Sequence, residues 1–387
     1  MKSKNKLIRI TTVPVSLKTL LKGQHQFMSN HYEVVGISSE GQELRDVKNQ
    51  EGIRVIPIEM TRTISLLKDF KSLWELYKIL KKEKPLIVHS HTPKAGIVGM
   101  LAAKLAGVPY RLHTVAGLPL MEATGSKRKL LDFVEQLTYN CATKVYPNSK
   151  VLSDFILKNN FTKPDKLKVI ANGSSNGINT SHFDSAMFSA TDLQTLKDNL
   201  GITKHNFVFV FVGRLVSDKG INELVQAFEK LSKQSIDVKL LLVGSLESDL
   251  DPLQLQTLHE IKYNANIISV GFQKDVRPYF SISNTLVFPS YREGFPNVVM
   301  QAGAMGLPSI VTNINGCNEI VEEGINGIII PVKDSDAIYS AMQKMISDNY
   351  FRTQLQKKAR AMIVSRYEQR VVWEAILAEY KSLEQNV

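Results

Sequence analysis

Short apolar, β-branched segments alternate with longer amphipathic segments along almost the whole chain. The clearest apolar segments are the unbroken runs Phe207–Val212 and Val238–Val243. A strand without a polar face is buried on both sides, which is typical of a parallel sheet covered by helices. The alternation of strands and helices therefore predicts an α/β protein built on parallel sheets.

The alternation runs through both halves of the chain. In the first half, the predicted strands are Leu7–Thr12, Tyr32–Ile37, Ile53–Ile58, Leu86–His89, Tyr110–Thr114 and Thr143–Tyr146. The predicted helices there are Ser65–Lys82, Ala95–Ala106, Ser126–Ala142 and Lys150–Asn159. In the second half, the predicted strands are Phe207–Val212, Val238–Val243, Ile267–Val270, Thr285–Phe288, Ser309–Thr312 and Gly327–Ile330. The predicted helices there are Ala190–Leu200, Ile221–Lys233, Val276–Ser281, Val298–Met305, Asp336–Asp348, Phe351–Ser365 and Glu368–Leu383.

A turn-rich stretch, Ala171–Asp184, separates the two halves. A chain of 387 residues is long enough for two domains. We predict a first domain over residues 1–180, a second over 181–370, and a final helix over 371–387 that packs back on the first domain. The default ligand site of two such domains is a cleft between them.

Charge is unequally distributed between the halves. The whole chain has a net charge of +11, and residues 1–180 hold 28 Lys and Arg against 14 Asp and Glu. The first half therefore suggests an anionic partner, and an anionic membrane surface is one candidate. A helix that begins with Lys127, Arg128 and Lys129 could lie on such a surface, or it could simply have a solvated basic start. No nucleic-acid motif accompanies the charge, so we predict no nucleic-acid partner.

Other class-defining features are missing from the sequence. No apolar run reaches the roughly 20 residues that a membrane span needs. Two cysteines, Cys141 and Cys317, cannot form a disulfide framework. A reducing compartment is the expectation that follows.

The segment Gly213–Gly220 follows the most apolar predicted strand and precedes a predicted helix. Open α/β sheets bind ligands at the carboxyl ends of their strands, and free N–H groups at a helix start attract phosphate. Arg214 offers a planar guanidinium and Lys219 a point charge. The segment predicts a diphosphate-binding loop or, alternatively, a tight turn with two solvated cations.

The segment Tyr291–Asn297 also lies between a predicted strand and a predicted helix. Glu293 stands at the strand exit, where a carboxylate can accept hydrogen bonds from sugar hydroxyls. Gly294 lets a ligand approach the backbone, and Pro296 suits the first turn of a helix. The alternative is a carboxylate that only stabilises the helix start. Two strand-exit segments at one edge of one sheet together predict a ligand site.

Three histidines lie at strand ends in the first half. His89 and His91 are two residues apart and share one side of the chain, and His113 ends a later strand. No acidic partner follows at a suitable spacing, so we predict no metal site. We expect His113 to act in catalysis. The candidates for contact with a second substrate are His91, Lys94 and Thr114; a structural histidine at a strand end is the alternative reading of His91 and His113.

The chain resembles the family-four retaining glycosyltransferases, which have the GT-B fold. The residues that carry the resemblance are Val212–Gly220, Val270–Phe272, Asp275–Val276, Arg292–Asn297, Gly306–Pro308 and Gly316–Val321. It covers most of residues 205–387 and, more weakly, residues 85–170. The resemblance implies two Rossmann-like parallel-sheet domains that face a central cleft, with the acceptor bound by the first domain and a nucleotide-sugar donor by the second.

The resemblance also implies roles for individual residues. Arg214 and Lys219, beside Gly213, would hold the donor diphosphate, and Glu293 would contact the donor sugar. The backbone groups that would support Glu293 are those of Gly294, Phe295, Pro296 and Asn297. Gly271 and Phe272 would lie near the base. No cofactor is implied, since the nucleotide sugar is a substrate and the two cations make a metal unnecessary.

This chain departs from the family pattern at three places. Gln301 stands where the family has a second Glu that binds the ribose, and Gln keeps an acceptor oxygen while losing the charge. Thr12–Lys18 lacks the glycines that often follow the first strand. Ala116 replaces a histidine that many relatives have after a later strand, and His113 lies three residues earlier.

The subgroup that the chain resembles builds bacterial surface glycans, such as capsule and O-antigen, on lipid carriers. The expected reaction is retaining transfer of a sugar, a HexNAc, from a UDP-linked donor to an undecaprenyl-diphosphate-linked sugar. The expected place is cytoplasmic, peripheral at the inner face of the plasma membrane. Two alternatives keep the same fold: a sugar-nucleotide epimerase, and a nucleotide-sugar-binding protein without turnover.

Overall fold

A computed structural model describes residues 4–385 except 62–64, 122, 235–236, 248 and 250. The chain forms two compact units. The first consists of Met1–Gly177 together with Arg370–Val387, and the second of Ile178–Gln369. The final helix thus belongs with the first unit, although the whole second unit precedes it in the sequence.

The first unit alternates strands with helices. Its strands are β1 (Lys6–Ile10), β2 (Glu33–Ser38), β3 (Arg54–Pro57), β4 (Ile87–Ser90), β5 (Tyr110–Val115) and β6 (Lys144–Pro147). Its helices are α1 (Pro14–Leu20), α2 (Gln24–Ser29), α3 (Gln42–Glu51), α4 (Leu66–Glu83), α5 (Pro93–Ala106), α6 (Gly125–Cys141) and α7 (Lys150–Lys158).

The six strands of the first unit form one parallel sheet in the order β3-β2-β1-β4-β5-β6. One face of this sheet packs against α4 and α5 through residues such as Ile8 and Val88. The other face is covered partly by the last helix of the chain, whose residues Val372, Ile376 and Tyr380 join the core around Leu7. The apolar spacing by four that identifies this helix in the sequence is therefore its core-facing stripe.

The second unit repeats this organisation. Its strands are β7 (Phe207–Val212), β8 (Val238–Val243), β9 (Ile267–Gly271), β10 (Thr285–Phe288), β11 (Ser309–Thr312) and β12 (Gly327–Ile330). Its helices are α8 (Ala190–Asn199), α9 (Ile221–Ser232), α10 (Leu255–Tyr263), α11 (Arg277–Ser281), α12 (Asn297–Ala304), α13 (Cys317–Ile320), α14 (Ser335–Ser347) and α15 (Asn349–Tyr367). The last helix of the chain is α16 (Gln369–Glu384).

The second sheet is also parallel, in the order β12-β11-β10-β7-β8-β9. Counted along each unit, both sheets have the strand order 3-2-1-4-5-6, which defines the Rossmann-like fold. The direction of winding reverses between β1 and β4 in the first sheet and between β7 and β10 in the second. Ligands of such sheets bind outside the carboxyl ends of the strands at this reversal.

Several elements lie outside the sequence-based predictions. The helices α1, α2 and α3 were not predicted, nor were α10 and α13. The helix α3 has only two buried apolar residues, Leu44 and Val47, so its sequence carries little periodic signal. The apolar residues of α4 do not all face the core, because Leu76 and Leu80 are buried while Leu66 and Leu67 are exposed.

Candidate active site

The candidate donor residues stand at the reversal point of the second sheet. The chain leaves β7 through Gly213–Gly220 and leaves the neighbouring β10 through residues 289–296. Both segments start at the carboxyl ends of parallel strands and therefore lie at the same edge of the sheet. The two sequence-predicted loops are thus brought together by the strand order.

An ion pair joins these two loops. Lys219 Nζ lies 2.5 Å from Glu293 Oε1, and their side chains are only 15% and 16% exposed. Ser290 Oγ donates a second hydrogen bond to Glu293 Oε1 at 2.9 Å. Lys219 ends a short 3-10 turn, and Gly220 follows it in the left-handed region at φ +70°. A side chain at position 220 would place its Cβ 2.2 Å from the Pro289 carbonyl oxygen, so the close approach of the loops requires this glycine.

The loop that carries Glu293 is held from the next strand of the sheet. Asn315, in the segment after β11, donates from Nδ2 to the carbonyl oxygens of Glu293, at 3.1 Å, and of Gly294. Beside it, a Cβ at Gly316 would lie 2.8 Å from the Gly294 carbonyl oxygen. Asn315 was not among the residues predicted for the site. Its position just after a predicted strand was the available signal.

Arg214 lies on the same loop as Lys219 but has a different partner. Arg214 Nη1 lies 3.0 Å from Glu247 Oε2, a carboxylate in the segment after β8, and this pair is partly exposed. The loop after β7 and the loop after β8 are in direct contact, since Leu215 N donates to the Ser245 carbonyl at 2.8 Å. A Cβ at Gly244 would lie 1.7 Å from the Gly213 carbonyl oxygen. Each proposed diphosphate-binding cation therefore has a carboxylate partner, and Glu247 was not identified from the sequence.

A further set of polar contacts fixes the segment between Arg214 and Lys219. Arg292 forms an ion pair with Asp218 at 3.0 Å. The backbone N of Asp218 donates to Asp251 Oδ2 at 2.6 Å, and the backbone N of Tyr291 donates to the Asp218 carbonyl at 2.9 Å. These bonds link the segments after β7, β8 and β10, which gives the loop of Lys219 a defined position.

The remaining donor-side candidates lie along the same edge. Glu293 lies in the loop before α12, which begins at Asn297, so only the second half of the eight-residue spacing to Gln301 is helical. Gln301 is partly buried in α12. Phe272 is exposed directly after β9, and Gly271 has φ +66°. Since β8 separates β9 from β7, Phe272 leaves the sheet about 10 Å from the exit of β7 at the usual strand spacing.

Phe295 and Pro296 lie on the inner side of their loop. The Phe295 ring centroid is 5.5 Å from that of Tyr367, in α15, and Pro296 immediately precedes the first residue of α12. A Cβ at Gly316 would come within 2.9 Å of Phe295 Cα. The backbone from Gly294 to Pro296 is therefore packed against Gly316 and, through the Phe295 ring, against α15.

In the first unit, His113 and His91 are both buried. His113 Nδ1 shares a 2.8 Å hydrogen bond with Ser90 Oγ, and its ring packs so closely on α5 that a Cβ at Gly96 would lie 2.5 Å from Cε1. Burial lowers the pKa of His113 to about 4, so the ring is neutral at pH 7. A neutral, hydrogen-bonded ring fits the structural alternative as well as the catalytic one.

The polar side chains around His89 lie on the face of the first sheet that α16 covers. His89 Nδ1 contacts Tyr380 Oη at 2.6 Å, and its Nε2 contacts Thr114 Oγ1 at 2.8 Å. The rings of His89 and His91 are 4.1 Å apart, and both nitrogens of His91 are buried without a hydrogen-bond partner among the described residues. Burial lowers the pKa of both histidines well below the usual value.

Lys94, the third acceptor-side candidate, is engaged in an ion pair. Its Nζ lies 2.5 Å from Asp69 Oδ2, so the start of α5 is tied to the first turn of α4. His91, Lys94 and Thr114 all stand at or just beyond the carboxyl ends of β4 and β5. Within the part of the chain that the structure describes, no three His, Cys, Asp or Glu side chains are grouped so as to hold a metal ion.

Comparison with known families identifies the class of protein. Residues 192–362 match the family described as Glycosyl transferases group 1, and residues 25–173 match the Glycosyl transferase 4-like domain. These two matches correspond to the second and the first unit. The protein is a glycosyltransferase.

Individual relatives narrow the assignment. The chain is 35% identical to the capsular polysaccharide biosynthesis glycosyltransferase CapM of Staphylococcus aureus over 378 residues, which covers 97% of both chains. It is 30% identical to the UDP-Gal:alpha-D-GlcNAc-diphosphoundecaprenol alpha-1,3-galactosyltransferase of Escherichia coli, over 94% of both chains. It is 26% identical to the N,N'-diacetylbacillosaminyl-diphospho-undecaprenol alpha-1,3-N-acetylgalactosaminyltransferase of Campylobacter jejuni, over 89% of both chains.

A solved structure supports the fold. The crystal structure of a glycosyltransferase from Rickettsia africae superposes with a TM-score of 0.80 at 20% identity, over 99% of this chain and all of that one. Together with the two parallel sheets and the relatives above, this similarity confirms the GT-B fold. The chain belongs to the family-four glycosyltransferases and functions in surface polysaccharide synthesis.

Proposed function

We propose that the protein is a retaining glycosyltransferase that moves a HexNAc residue from a UDP-linked donor to a sugar carried on undecaprenyl diphosphate. Two relatives support this proposal, since both are named as enzymes that transfer to a sugar on diphosphoundecaprenol, and one of them as an N-acetylgalactosaminyltransferase. The other relative uses UDP-Gal, so UDP-Gal and the UDP-HexNAc sugars are the donors to compare directly.

The observation that carries the proposal is the ion pair between Lys219 and Glu293 at the reversal point of the second sheet. A donor diphosphate that binds Lys219 replaces the carboxylate as its counter-ion. Glu293 is then free to accept hydrogen bonds from the hydroxyls of the donor sugar. One contact thus couples recognition of the phosphate to recognition of the sugar.

The chemistry follows from the charges at this edge. The bond between the sugar C1 and the phosphate oxygen breaks while C1 forms a bond to the acceptor hydroxyl oxygen. Lys219 and Arg214 stabilise the negative charge that develops on the leaving diphosphate, and no metal ion is required for this step. The leaving phosphate oxygen accepts the proton of the acceptor hydroxyl on the same face of the sugar, which retains the configuration at C1.

The acceptor belongs to the first unit in this proposal. His91, Lys94 and Thr114 stand at the carboxyl ends of β4 and β5, where a parallel sheet binds its ligands. The excess of Lys and Arg in this half suits an anionic lipid surface at the inner face of the plasma membrane. Within the described residues, no helix is long and apolar enough to cross a membrane.

The test is release of nucleoside diphosphate from UDP-Gal, UDP-GlcNAc, UDP-GalNAc, a GDP-sugar and an ADP-sugar. Each donor is incubated with and without an undecaprenyl-diphosphate-linked sugar, and the lipid product is analysed by mass. We expect acceptor-dependent release from one UDP-HexNAc. Glu293→Ala should abolish it, whereas Asp336→Ala, which removes a carboxylate at an exposed position of α14, should leave it unchanged.

Other results would contradict the proposal in distinguishable ways. Conversion of a sugar nucleotide to an isomer, without transfer, would identify an epimerase. Donor binding without any conversion in the presence of the acceptor panel would identify a binding protein. Acceptor-dependent release from UDP-Gal alone would be consistent with a transferase but would show that its donor is UDP-Gal and not a UDP-HexNAc.

A further inference from the structure

The helix α4 has a second apolar stripe, which the described residues of the protein leave exposed. Leu66 is 82% exposed, Leu67 87%, Phe70 68% and Trp74 51%. A single exposed apolar residue is common on a protein surface, but four within the first three turns of one helix are not. The core-facing residues of the same helix are Ser72, Leu76 and Leu80.

Helical geometry separates the two stripes. At about 100° per residue, Leu66, Phe70 and Trp74 with Leu67 fall within an arc of about 100°. The centre of this arc lies about 130° from the centre of the core-facing stripe. The exposed stripe adjoins the packed stripe at the partly buried Leu73 and faces solvent over the rest of its arc.

Lysines flank the exposed stripe. Lys71, Lys78 and Lys82 are exposed and follow it within the next roughly 60° of the helix circumference. Lys78 Nζ lies 5.3 Å from the Trp74 ring centroid, and the rings of Trp74 and Tyr77 stack at 5.3 Å. Apolar and aromatic side chains bordered by lysines are typical of a helix that lies in a membrane interface.

The helix α6 has a similar surface at its start. Leu130 and Phe133 are exposed, and the exposed Lys127 and Lys129 precede them. The helix α5 packs against both α4 and α6, so the three helices lie on one face of the first sheet. Lys127 and Lys129 belong to the basic helix start that was predicted from the sequence as a possible membrane contact.

Topology places these surfaces beside the acceptor-side candidates. The helices α4 and α6 each connect two parallel strands, so their N-terminal halves lie at the carboxyl edge of the first sheet. The exposed stripe of α4 begins at its N-terminus, and Asp69 in the same turn holds Lys94 at 2.5 Å. His91 and Lys94 stand at this same edge.

We propose that the N-terminal half of α4, together with the start of α6, docks on the surface of an anionic lipid bilayer. Leu66, Leu67, Phe70 and Trp74 enter the interface, and the flanking lysines contact the lipid headgroups. This inference rests on the proposed function for its biological purpose, because a lipid-linked acceptor has to be reached at a membrane.

Charge favours a bilayer over a second copy of the chain as the occupant of this surface. A symmetric dimer pairs a patch with itself, which would bring Lys71, Lys78 and Lys82 near their own counterparts. The chain already has a net charge of +11. An anionic bilayer supplies the opposite charge and an apolar layer at once, and it requires no partner with a matching shape.

The experiment measures sedimentation of the full-length protein with phosphatidylcholine vesicles that contain or lack phosphatidylglycerol. The first variant combines Leu67→Ser, Phe70→Ser and Trp74→Ser. The second combines Lys71→Gln, Lys78→Gln and Lys82→Gln. The matched control combines Leu255→Ser and Tyr350→Ser, which remove two equally exposed apolar side chains from the second unit.

We expect the unchanged protein and the control to bind the anionic vesicles. The apolar variant should lose at least tenfold in its partition coefficient. The lysine variant should lose roughly fivefold per lysine on anionic vesicles and little on neutral ones. Quenching of Trp74 fluorescence by brominated phosphatidylglycerol provides a second measurement, because the only other tryptophan, Trp373, is held in the first unit by a hydrogen bond to Asn176.

Two results would overturn the inference. The apolar variant, with an unchanged melting temperature, could bind anionic vesicles as well as the control does. Alternatively, the unchanged protein could ignore both vesicles and sediment as a dimer that the apolar variant dissociates. Since vesicle binding is measured without donor or acceptor, failure of the transfer reaction leaves this result unaffected, and the two proposals fail separately.

Discussion

Lys219 Nζ lies 2.5 Å from Glu293 Oε1, although the two residues are 74 positions apart in the chain. The contact joins the segments that leave the neighbouring strands β7 and β10, and both side chains are largely shielded from water. Because water screens such a pair only weakly, each partner depends on the other for neutralisation. An anionic ligand that displaces Glu293 from Lys219 therefore has to supply the negative charge that neutralises Lys219.

The first prediction concerns Lys219→Met. This change removes the cation that the proposed mechanism places on the leaving diphosphate, and we expect the turnover number to fall by about 10²- to 10³-fold. The measurement is acceptor-dependent release of nucleoside diphosphate, with the melting temperature as the check on folding. Glu293 would be left without its partner, so a loss of stability of about 1–3 kcal/mol is also expected.

Lys230→Met is the matched control for this prediction. Lys230 also forms an ion pair, with Asp336 at 2.9 Å, but both side chains are largely exposed on the surface of the second unit. Exposed pairs contribute little to stability, and this one is remote from the loops of the site. Near-normal turnover of Lys219→Met would refute the role of Lys219 in diphosphate binding.

The second prediction concerns Glu247, the partner of Arg214. Glu247→Gln removes the carboxylate that lies 3.0 Å from the Arg214 guanidinium. Arg214 can then bind a diphosphate without first breaking an ion pair. Because the pair is half-exposed, its opening costs at most about 1 kcal/mol, and we expect UDP to bind roughly two- to fivefold more tightly. Calorimetric titration with UDP measures this. Weaker binding would instead mean that Glu247 itself contacts the nucleotide.

The third prediction restores the charge of the family at position 301. Gln301→Glu returns a carboxylate that accepts hydrogen bonds from ribose hydroxyls, and charged acceptors form stronger bonds. We expect UDP to bind about fivefold more tightly, and Gln301→Ala to bind it less tightly than the unchanged protein. If both variants match the unchanged protein in UDP affinity, then Gln301 in α12 does not contact the ribose.

The fourth prediction concerns the contact between the loops after β7 and β8. In Gly244→Ala the new Cβ would lie 1.7 Å from the Gly213 carbonyl oxygen, at φ +157°, so the loops have to separate. We expect the free energy of unfolding of the second unit to fall by about 3 kcal/mol or more. Gly306→Ala is the control, because Gly306 also has a positive φ, +84°, but a Cβ there has no neighbouring atom within 4 Å. We expect this variant to lose only about 1 kcal/mol of stability, from backbone strain. Thermal unfolding and amide exchange in β7 and β8 distinguish the two.

The strands of the second unit were the most predictable part of the fold. Phe207–Val212 and Val238–Val243 are apolar at almost every position because both faces of each strand are covered, and their observed bounds equal the predicted ones. The helices α1, α2 and α3 lack such a signal. The first two have seven and six residues, and α3 is mostly polar, so their helical state depends on packing that the sequence pattern does not contain.

The motifs identified both Lys219 and Glu293, but not their contact. That contact depends on β10 lying next to β7, and the contact of Asn315 depends on β11 lying next to β10. Spacing along the chain does not encode strand order, so Asn315 and Glu247 were missed. The exposed stripe of α4 was missed for a similar reason. Periodicity reveals apolar faces on a helix, but only the packing shows which face is covered.

The fifth prediction is that acid destabilises the first unit before the second. His25, His89, His91 and His113 are buried in the first unit. Burial lowers the pKa of His113 to about 4 and that of His25 to about 3, and the charge of Arg9 adds to the effect on His25. The histidines of the second unit, His182, His205 and His259, are exposed.

The sign of this pH dependence follows from the number of protons that the folded and unfolded states bind. In the unfolded chain, a histidine has a pKa of about 6.5, so below that pH the unfolded state binds protons that the folded state excludes. The free energy of unfolding therefore decreases as the pH falls from about 6.5 to 4, by an amount on the order of 3 kcal/mol for His113 alone. Amide exchange at pH 7 and pH 5 should show that β4 and β5 lose protection while β7 and β8 keep theirs. Equal loss of protection in both units would contradict the prediction, because the dependence of stability on pH would then come from groups that both units share.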